Sequence, residues 1–241
     1  MEVLEVANYE EMSMTATRIL LNKMNHTQKV TLGLATGATP RGMYQMLVAS
    51  HQEKGVSFRN VQTVNLDEYV GLERHHPSSY HTYMAMHFFR WIDIDRSHTH
   101  LPNGKAEDLT LECFRYEDLI HHMGGVDLQV LGLGRNGHIG FNEPGTSFHA
   151  RTHVVELARS TRRANARYFA REDEVPSRAI TMGIATILES REIVLLASGS
   201  GKSEAITRLL EGKIQHQFPA TALLEHPKVT MIVDREALIR Q

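Results

Sequence analysis

Val126-Asp-Leu-Gln-Val-Leu-Gly-Leu-Gly-Arg-Asn-Gly-His-Ile-Gly-Phe-Asn-Glu-Pro-Gly-Thr-Ser-Phe148 begins as a short apolar run and breaks into a glycine-rich loop. Residues Val126–Leu131 read as a buried strand. From Gly132 onward, five glycines and a proline surround one histidine, His138, and one carboxylate, Glu143. Glycine loses more backbone entropy on folding than any other residue, and no core needs so many in one run. A loop of this kind at a strand end, carrying Asn136, His138 and Glu143, is a candidate reaction centre.

Outward from this stretch the chain repeats one theme. Val30–Ala35, Val61–Asn65, Thr152–Leu157, Ile193–Ala197 and Val229–Val233 are further short apolar runs that read as strands. Amphipathic patterns lie between them, the clearest being Leu109, Cys113, Tyr116, Ile120 and Met123, spaced four-three-four-three. This alternation predicts an α/β fold, a mostly parallel sheet with helices on both faces in an open three-layer arrangement. No linker, repeat or low-complexity segment interrupts it, so residues 1–241 read as a single domain.

Two nucleotide motifs are matched only in part. Gly132-x-Gly134-x-x-Gly137 has the dinucleotide spacing, with Glu156 about twenty residues on. That fingerprint needs a helix after its third glycine, and Gly140, Pro144 and Gly145 leave no room for one. Gly199-Ser-Gly-Lys-Ser203 resembles the end of a phosphate-binding P-loop, but Leu196 stands where the loop needs its first glycine. The chain has 241 residues, 41% hydrophobic and 22% charged, with net charge −2, so nothing global points to nucleic acid or a membrane surface. A lone Cys113 excludes an intramolecular disulfide. The start of the chain is acidic and lacks the pattern of a signal peptide, and no apolar run nears the ~20 residues of a membrane span. A cytoplasmic protein is the expectation. The fifteen histidines form no His-Glu-x-x-His pattern and no cysteine pair accompanies them, so no metal site and no cofactor are expected.

In open parallel sheets ligands bind at the carboxyl ends of the strands, and four such ends carry suggestive loops. After the first, Thr36-Gly37-Ala38-Thr39-Pro40 leads into a helical pattern, with Thr39 as the expected cap and Pro40 as the first helical residue. Free N–H groups at such a start suit an anion, although a plain strand–helix turn favours the same residues. The second loop carries Asp67 and Glu68 directly after a buried strand. The third is the His138 stretch. The fourth, Ser198–Ser203, places Lys202 before another helix. Arg159, Arg163, Arg167 and Arg171 recur every four residues, a spacing that destabilises a helix unless the charges find partners. They read as a solvated face or as a reach toward a phosphate. Together these features suggest a small phosphorylated substrate with proton transfer at its reactive end.

Leu32-Gly-Leu-Ala-Thr-Gly-Ala-Thr-Pro40, Asn65-Leu-Asp-Glu-Tyr-Val-Gly-Leu72, His76-Pro-Ser-Ser-Tyr80, Gly132-Leu-Gly-Arg-Asn-Gly-His-Ile-Gly-Phe-Asn-Glu-Pro144 and Ala179-Ile-Thr-Met-Gly183 closely resemble the glucosamine-6-phosphate deaminase family, in order and over essentially the whole chain. The resemblance implies a modified Rossmann-like fold. It also implies conversion of glucosamine 6-phosphate and water to fructose 6-phosphate and ammonia, in the breakdown of amino sugars such as N-acetylglucosamine.

Asp67 would then move a proton from C2 to C1, His138 would open the pyranose ring, and Glu143 would orient and polarise the histidine. Asn136 stands where many members carry aspartate, which implies positioning rather than proton transfer. Phosphate would rest on Thr36, Gly37, Ala38, Thr39, Arg167 and Lys202. Ala38 replaces a common glycine, tolerable unless that residue needs a positive φ. Residues 151–175 resemble a mobile lid. The chain stops soon after its last strand, which places hexamer formation and activation by N-acetylglucosamine 6-phosphate in doubt; a monomer fits, and so does a homo-oligomer. The rival readings are a 6-phosphogluconolactonase, whose motifs differ at Asp-Glu-Tyr69 and Ile-Gly-Phe-Asn-Glu-Pro144, and a sugar-phosphate sensor without turnover, for which no basic DNA-binding segment is present.

Overall fold

The computed structural model describes residues 1–239. Its elements run β1 (Glu2–Val6), α1 (Tyr9–Asn25), β2 (Val30–Leu34), α2 (Arg41–Lys54), β3 (Val61–Asn65), β4 (Asp67–Tyr69), α3 (Tyr80–His87), β5 (Thr99–His100), α4 (Leu109–His122) and β6 (Leu128–Gly132). They continue with β7 (His153–Glu156), α5 (Arg159–Asn165), β8 (Arg178–Thr181), α6 (Ile184–Leu188), β9 (Ile193–Ala197), α7 (Ser203–Leu210), β10 (Val229–Asp234) and α8 (Arg235–Leu238). Seven strands form one parallel sheet in the order β1-β10-β9-β6-β2-β3-β5. Among the described residues no helix is long and apolar enough to cross a membrane.

The central strands are buried along their length because both faces are covered, and β9 is apolar at every position. In β9, Ile193, Leu195 and Ala197 pack with Tyr116 and Ile120 of α4, Ile187 of α6 and Ile206 and Leu209 of α7. Their alternates Val194 and Leu196 pack on the other side with Met12 and Leu20 of α1 and Met43 and Leu47 of α2. The period-two alternation of a strand distributes one run between two cores. Helix α4 follows its four-three spacing, with Cys113, Tyr116 and Ile120 buried. Asp108 caps its start by accepting from the N–H groups of Thr110 and Leu111, at 2.8 and 2.9 Å. Gly124 and Gly125, both at positive φ, turn the chain into β6.

The sequence reading needs three corrections. Thr152–Leu157 does form a strand, β7, but in a second, antiparallel sheet of order β4-β8-β7 rather than in the parallel one. Asp67–Tyr69, read as a loop, is the β4 strand of that small sheet. Thr39 does not cap α2: the helix begins at Arg41 with Pro40 at the cap, and no side chain caps it. Strands β1, β5 and β8 were not read; β1 (Glu2-Val-Leu-Glu-Val6) lies on a sheet edge and shows no period-two pattern, and β5 has only two residues.

Chain order across the large sheet reverses between β2 and β6. On one side of the reversal stand β2, β3 and β5 in chain order, on the other β6, β9 and β10, with the chain's first strand, β1, added at the edge beyond β10. The crevice beyond the carboxyl ends at such a reversal is where ligands bind in open α/β sheets. The loops after β2, β6 and β9 open there. No helix forms between Leu133 and Phe148, as the glycines and Pro144 require.

Candidate active site

The loop after β2 is held by three tyrosines from three helices or their starts. Tyr44 donates to the carbonyl of Ala35 at 2.6 Å, Tyr83 to that of Gly37 at 2.6 Å, and Tyr9 to that of Ala38 at 2.9 Å. Tyr9 also accepts from the Gly42 N–H at 2.8 Å. Fixing the carbonyls leaves the N–H groups of Gly37, Ala38 and Thr39 without an acceptor among the described residues. Gly37 takes φ 97°, which favours glycine, whereas Ala38 does not have a positive φ, so its methyl group causes no strain. The result is a rigid row of donors, suited to an anion.

The β4 strand leaves β3 with only Leu66 between them, and the two sheets are stitched there. The Leu66 N–H donates to Leu34 O at 3.1 Å, and its carbonyl accepts from Met182 N at 2.6 Å. Strand alternation then sends Asp67 and Glu68 to opposite faces. Glu68 accepts from the N–H groups of Tyr69, Tyr80 and His81 and contacts His81 Nδ1, all within 3.0 Å, at the start of α3. Asp67 is buried and has no salt-bridge partner among the described residues; burial first, and the charge of Glu68 second, push its carboxyl up to about 8. It borders Gly140: a β-carbon built there would lie 3.6 Å from Oδ2.

His138 lies two residues before Gly140. Its ring occupies the space over Gly134, where a β-carbon would fall 2.4 Å from the imidazole, so glycine is required at that position. Burial holds the imidazole below its usual range; the charge of Glu143 pulls it part of the way back up, and the charge of Lys202 adds a smaller push down. It is therefore neutral at neutral pH and able to accept a proton.

Glu143 does not hydrogen-bond to His138. Its Oε2 stands 4.0 Å from Nδ1, which has no hydrogen-bond partner. The carboxylate instead accepts from Asn136 Nδ2 at 2.8 Å and from Thr161 Oγ1 at 2.5 Å. Asn136 Oδ1 accepts from the His138 backbone N–H at 3.2 Å. Only one orientation of this amide satisfies both contacts, and an ionised aspartate could not donate to Glu143. Glu143 thus acts on His138 through charge across a gap, and Asn136 and Thr161 hold that gap open.

The third group is cationic. Lys202 follows β9, and burial, with the charges of Arg135 and Arg167, brings its ammonium down to about 8. None of these three cations has a carboxylate oxygen within 4.0 Å among the described residues. Arg151, Arg163 and Arg171 by contrast pair with Glu189, Glu172 and Asp173. Arg167 lies over the Tyr168 ring, 4.8 Å from its centroid. The segment that carries it is docked on both sides. Ser78 donates to Tyr168 O at 2.7 Å, Phe169 meets the edge of Tyr69 at 5.5 Å, and Thr161 holds Glu143.

Asn136, His138 and Glu143 therefore form one cluster, Asp67 flanks it across Gly140, and Lys202 and Arg167 share one locus. Thr36–Thr39 line the neighbouring strand end. The sequence reading missed Thr161, which sits among arginines with no motif of its own, and the three clamping tyrosines, which are far apart in the chain. Arg135 was inside the quoted loop, but its spacing carries no signal of what it faces. Among the described residues no three His, Cys, Asp or Glu side chains converge as metal ligands would.

Comparison with known proteins matches residues 7–232 to the family described as glucosamine-6-phosphate isomerases/6-phosphogluconolactonase. A glucosamine-6-phosphate deaminase of Geobacillus sp. (strain WCH70) is 56% identical over 238 residues, covering 99% of this chain and 95% of that one. Glucosamine-6-phosphate deaminase 1 of Bacillus subtilis (strain 168) is 54% identical, covering 98% of each. A solved structure described as a monomeric glucosamine-6-phosphate deaminase superposes with TM-score 0.98 at 54% identity, over 99% of this chain and all of the other. A 6-phosphogluconolactonase from Thermotoga maritima gives 0.77 at 18% identity over 97% of this chain and 99% of its own, a likeness of fold alone.

Proposed function

Because the chain belongs to the glucosamine-6-phosphate isomerase/6-phosphogluconolactonase family, we propose that it converts glucosamine 6-phosphate and water to fructose 6-phosphate and ammonia. The observation that carries the mechanism is a single glycine-rich loop that seats a neutral imidazole over Gly134 and, two residues on, meets a buried acid at Gly140, with an unpaired cation group beyond. The lactonase reading is not favoured: lactonases share the fold at 18% identity, deaminases more than half of the sequence.

The phosphate binds at Gly37–Thr39, Lys202 and Arg167. His138 takes the proton from the C1 hydroxyl as the C1–O5 bond breaks, and returns it to O5, giving the open-chain aldehyde. Only then is the C2 hydrogen acidic. Asp67, ionised, removes it while a proton of the substrate's own 2-ammonium passes to O1, giving the enolamine. The same carboxyl then delivers its proton to C1, leaving a C2 iminium. Water adds at C2, the C–N bond breaks, and ammonia leaves with fructose 6-phosphate. Asp67 suits the transfer because its proton affinity lies close to working pH. The direct test follows ammonia and fructose 6-phosphate together from glucosamine 6-phosphate. Equal release of both supports the reading; ammonia without the ketose, or neither, refutes it.

The pH profile should be narrow. Activity needs Asp67 ionised and Lys202 protonated, and both groups titrate at about 8. As pH rises through 8 the base is gained, and over the same span the phosphate-binding charge is lost. kcat/KM should form a bell centred near pH 8, with only about a quarter of the enzyme in the active form at the peak. Lys202→Arg keeps its charge and should flatten the alkaline limb while leaving the acid limb in place.

Residues 151–175 act as a lid whose closure brings Arg167 to the phosphate, and Thr161 links that lid to the reaction loop. Thr161→Val removes the bond to Glu143, which is then free to move toward His138 Nδ1. The imidazole should titrate higher than in the wild type, followed by histidine NMR, and kcat should fall about two- to tenfold. An unmoved imidazole would sever the link. The working unit is a monomer, a reading supported by the likeness to the monomeric deaminase.

A further inference from the structure

We propose that Arg135 is a third phosphate ligand, a specificity-determining residue that binds the substrate's phosphate with Lys202 and Arg167. The inference rests on the reading of this site as a sugar-phosphate pocket.

The geometry begins with the sheet. Arg135 lies in the loop after β6 and Lys202 in the turn after β9, and these strands are neighbours, with Gly132 paired to Leu196. Both loops therefore leave the same stretch of sheet edge. Arg135 then folds over that turn. A β-carbon built on Gly201 would lie 2.9 Å from its Nη2 and 3.3 Å from both Cζ and Nε. Gly201 does not have a positive φ, so the backbone does not require a glycine there. What the glycine supplies is space, and the guanidinium fills it.

The charge arrangement points to an anion. Arg135, Arg167 and Lys202 are close enough for the two arginines to depress the lysine, and no carboxylate partners any of them among the described residues. Three mutually repelling cations are unfavourable until an anion arrives between them. A guanidinium also suits a phosphate better than a second ammonium would, because its planar fork donates two parallel hydrogen bonds. The backbone adds a link to the chemistry. Asn136, the next residue, holds Glu143 at 2.8 Å and the His138 N–H at 3.2 Å. A phosphate that fixes Arg135 therefore also steadies the residue that spaces Glu143 from His138.

The test uses Arg135→Gln, with Gly201→Ala as an independent variant that displaces the guanidinium while leaving its charge in the chain. Both retain Lys202 and Arg167. Binding of inorganic phosphate, measured by calorimetry, should weaken about tenfold or more in each, and KM for glucosamine 6-phosphate should rise about ten- to thirtyfold while kcat falls less than about threefold. In Arg135→Gln the alkaline limb should move to higher pH, because one of the charges that depress Lys202 is gone. Arg135→Lys should recover part of the phosphate affinity. Unchanged phosphate affinity in Arg135→Gln, or a fall in kcat and melting temperature with phosphate binding intact, would overturn the proposal and leave Arg135 as a cover over the Gly201 turn. If the wild type released no ammonia the reaction would be wrong, yet the phosphate titrations would still decide the role of Arg135.

Discussion

Asp67→Asn should abolish turnover and make the protein more stable. The activity loss is expected at about 10³-fold or more, since the variant's carboxamide keeps the shape of the carboxyl and loses the group that carries the C2 proton. The stability gain follows from the burial that tunes the acid. Unfolded, Asp67 ionises near 3.8; folded, it holds its proton up to about 8. Folding is therefore unpenalised below the lower value, grows steadily less favourable as pH rises between the two, and carries a constant cost above the upper one. At about 1.4 kcal/mol per pH unit that span bounds the cost near 6 kcal/mol, and relaxation around the buried carboxylate reduces it to about 2–4 kcal/mol. Asparagine never ionises and escapes it. Thermal melts should show the variant about 5–10 °C above the wild type at pH 8.5, with the difference vanishing near pH 4. A difference that did not change with pH would mean the gain comes from packing, not from the carboxyl.

His138→Gln should remove ring opening and leave the later steps intact. The expected loss in kcat is about 10²–10³-fold, the usual worth of a placed general acid–base. Its form is more telling than its size. Pyranoses open slowly on their own, so the variant can still consume open-chain substrate from solution. Its velocity should climb with enzyme concentration and then level off at the spontaneous opening rate, a plateau the wild type does not show. A velocity that stays proportional to enzyme would place His138 in a later step. Because Nδ1 is unpartnered and Glu143 stands 4.0 Å away, glutamine at 138 disturbs no existing side-chain bond, and the melting temperature should hardly change.

The alternation of apolar runs and amphipathic stretches was sufficient for the large sheet. Val30–Leu34, Val61–Asn65, Ile193–Ala197 and Val229–Asp234 stand within a residue of where they were read, because each is buried on both faces; Ile193–Ala197 is apolar throughout, and in Val61–Asn65 the polar Gln62, Thr63 and Asn65 are buried as well. The small sheet was not legible for the opposite reason. Asp67-Glu-Tyr69 is three residues long and mostly charged, and its pairing partner Arg178–Thr181 lies more than a hundred residues away. No local pattern announces such a pair. The same holds at the site. Loops carry a signature in glycine and proline, so the phosphate loop and the His138 loop stood out, but a side chain arriving from elsewhere leaves none. Tyr9, Tyr83 and Thr161 are ordinary residues of their helices until the chain is folded. Thr39 was misplaced because Thr-Pro before a helical pattern is a common cap, and the helix starts one residue later with Gly42 bonded to Tyr9.

The stitch at Leu66 joins two sheets that do different jobs. In the proposed mechanism the large sheet supplies the donors and Lys202 that hold the phosphate, and the small one supplies the acid that works on the carbons. A handle and a tool would thus stand on separate frames, bonded to each other at Leu66 and through Phe141 and Asn142 of the loop after β6. New chemistry on phosphorylated sugars does not require a new handle: replacing the few residues around Asp67 changes what is done to the substrate without changing how it is held.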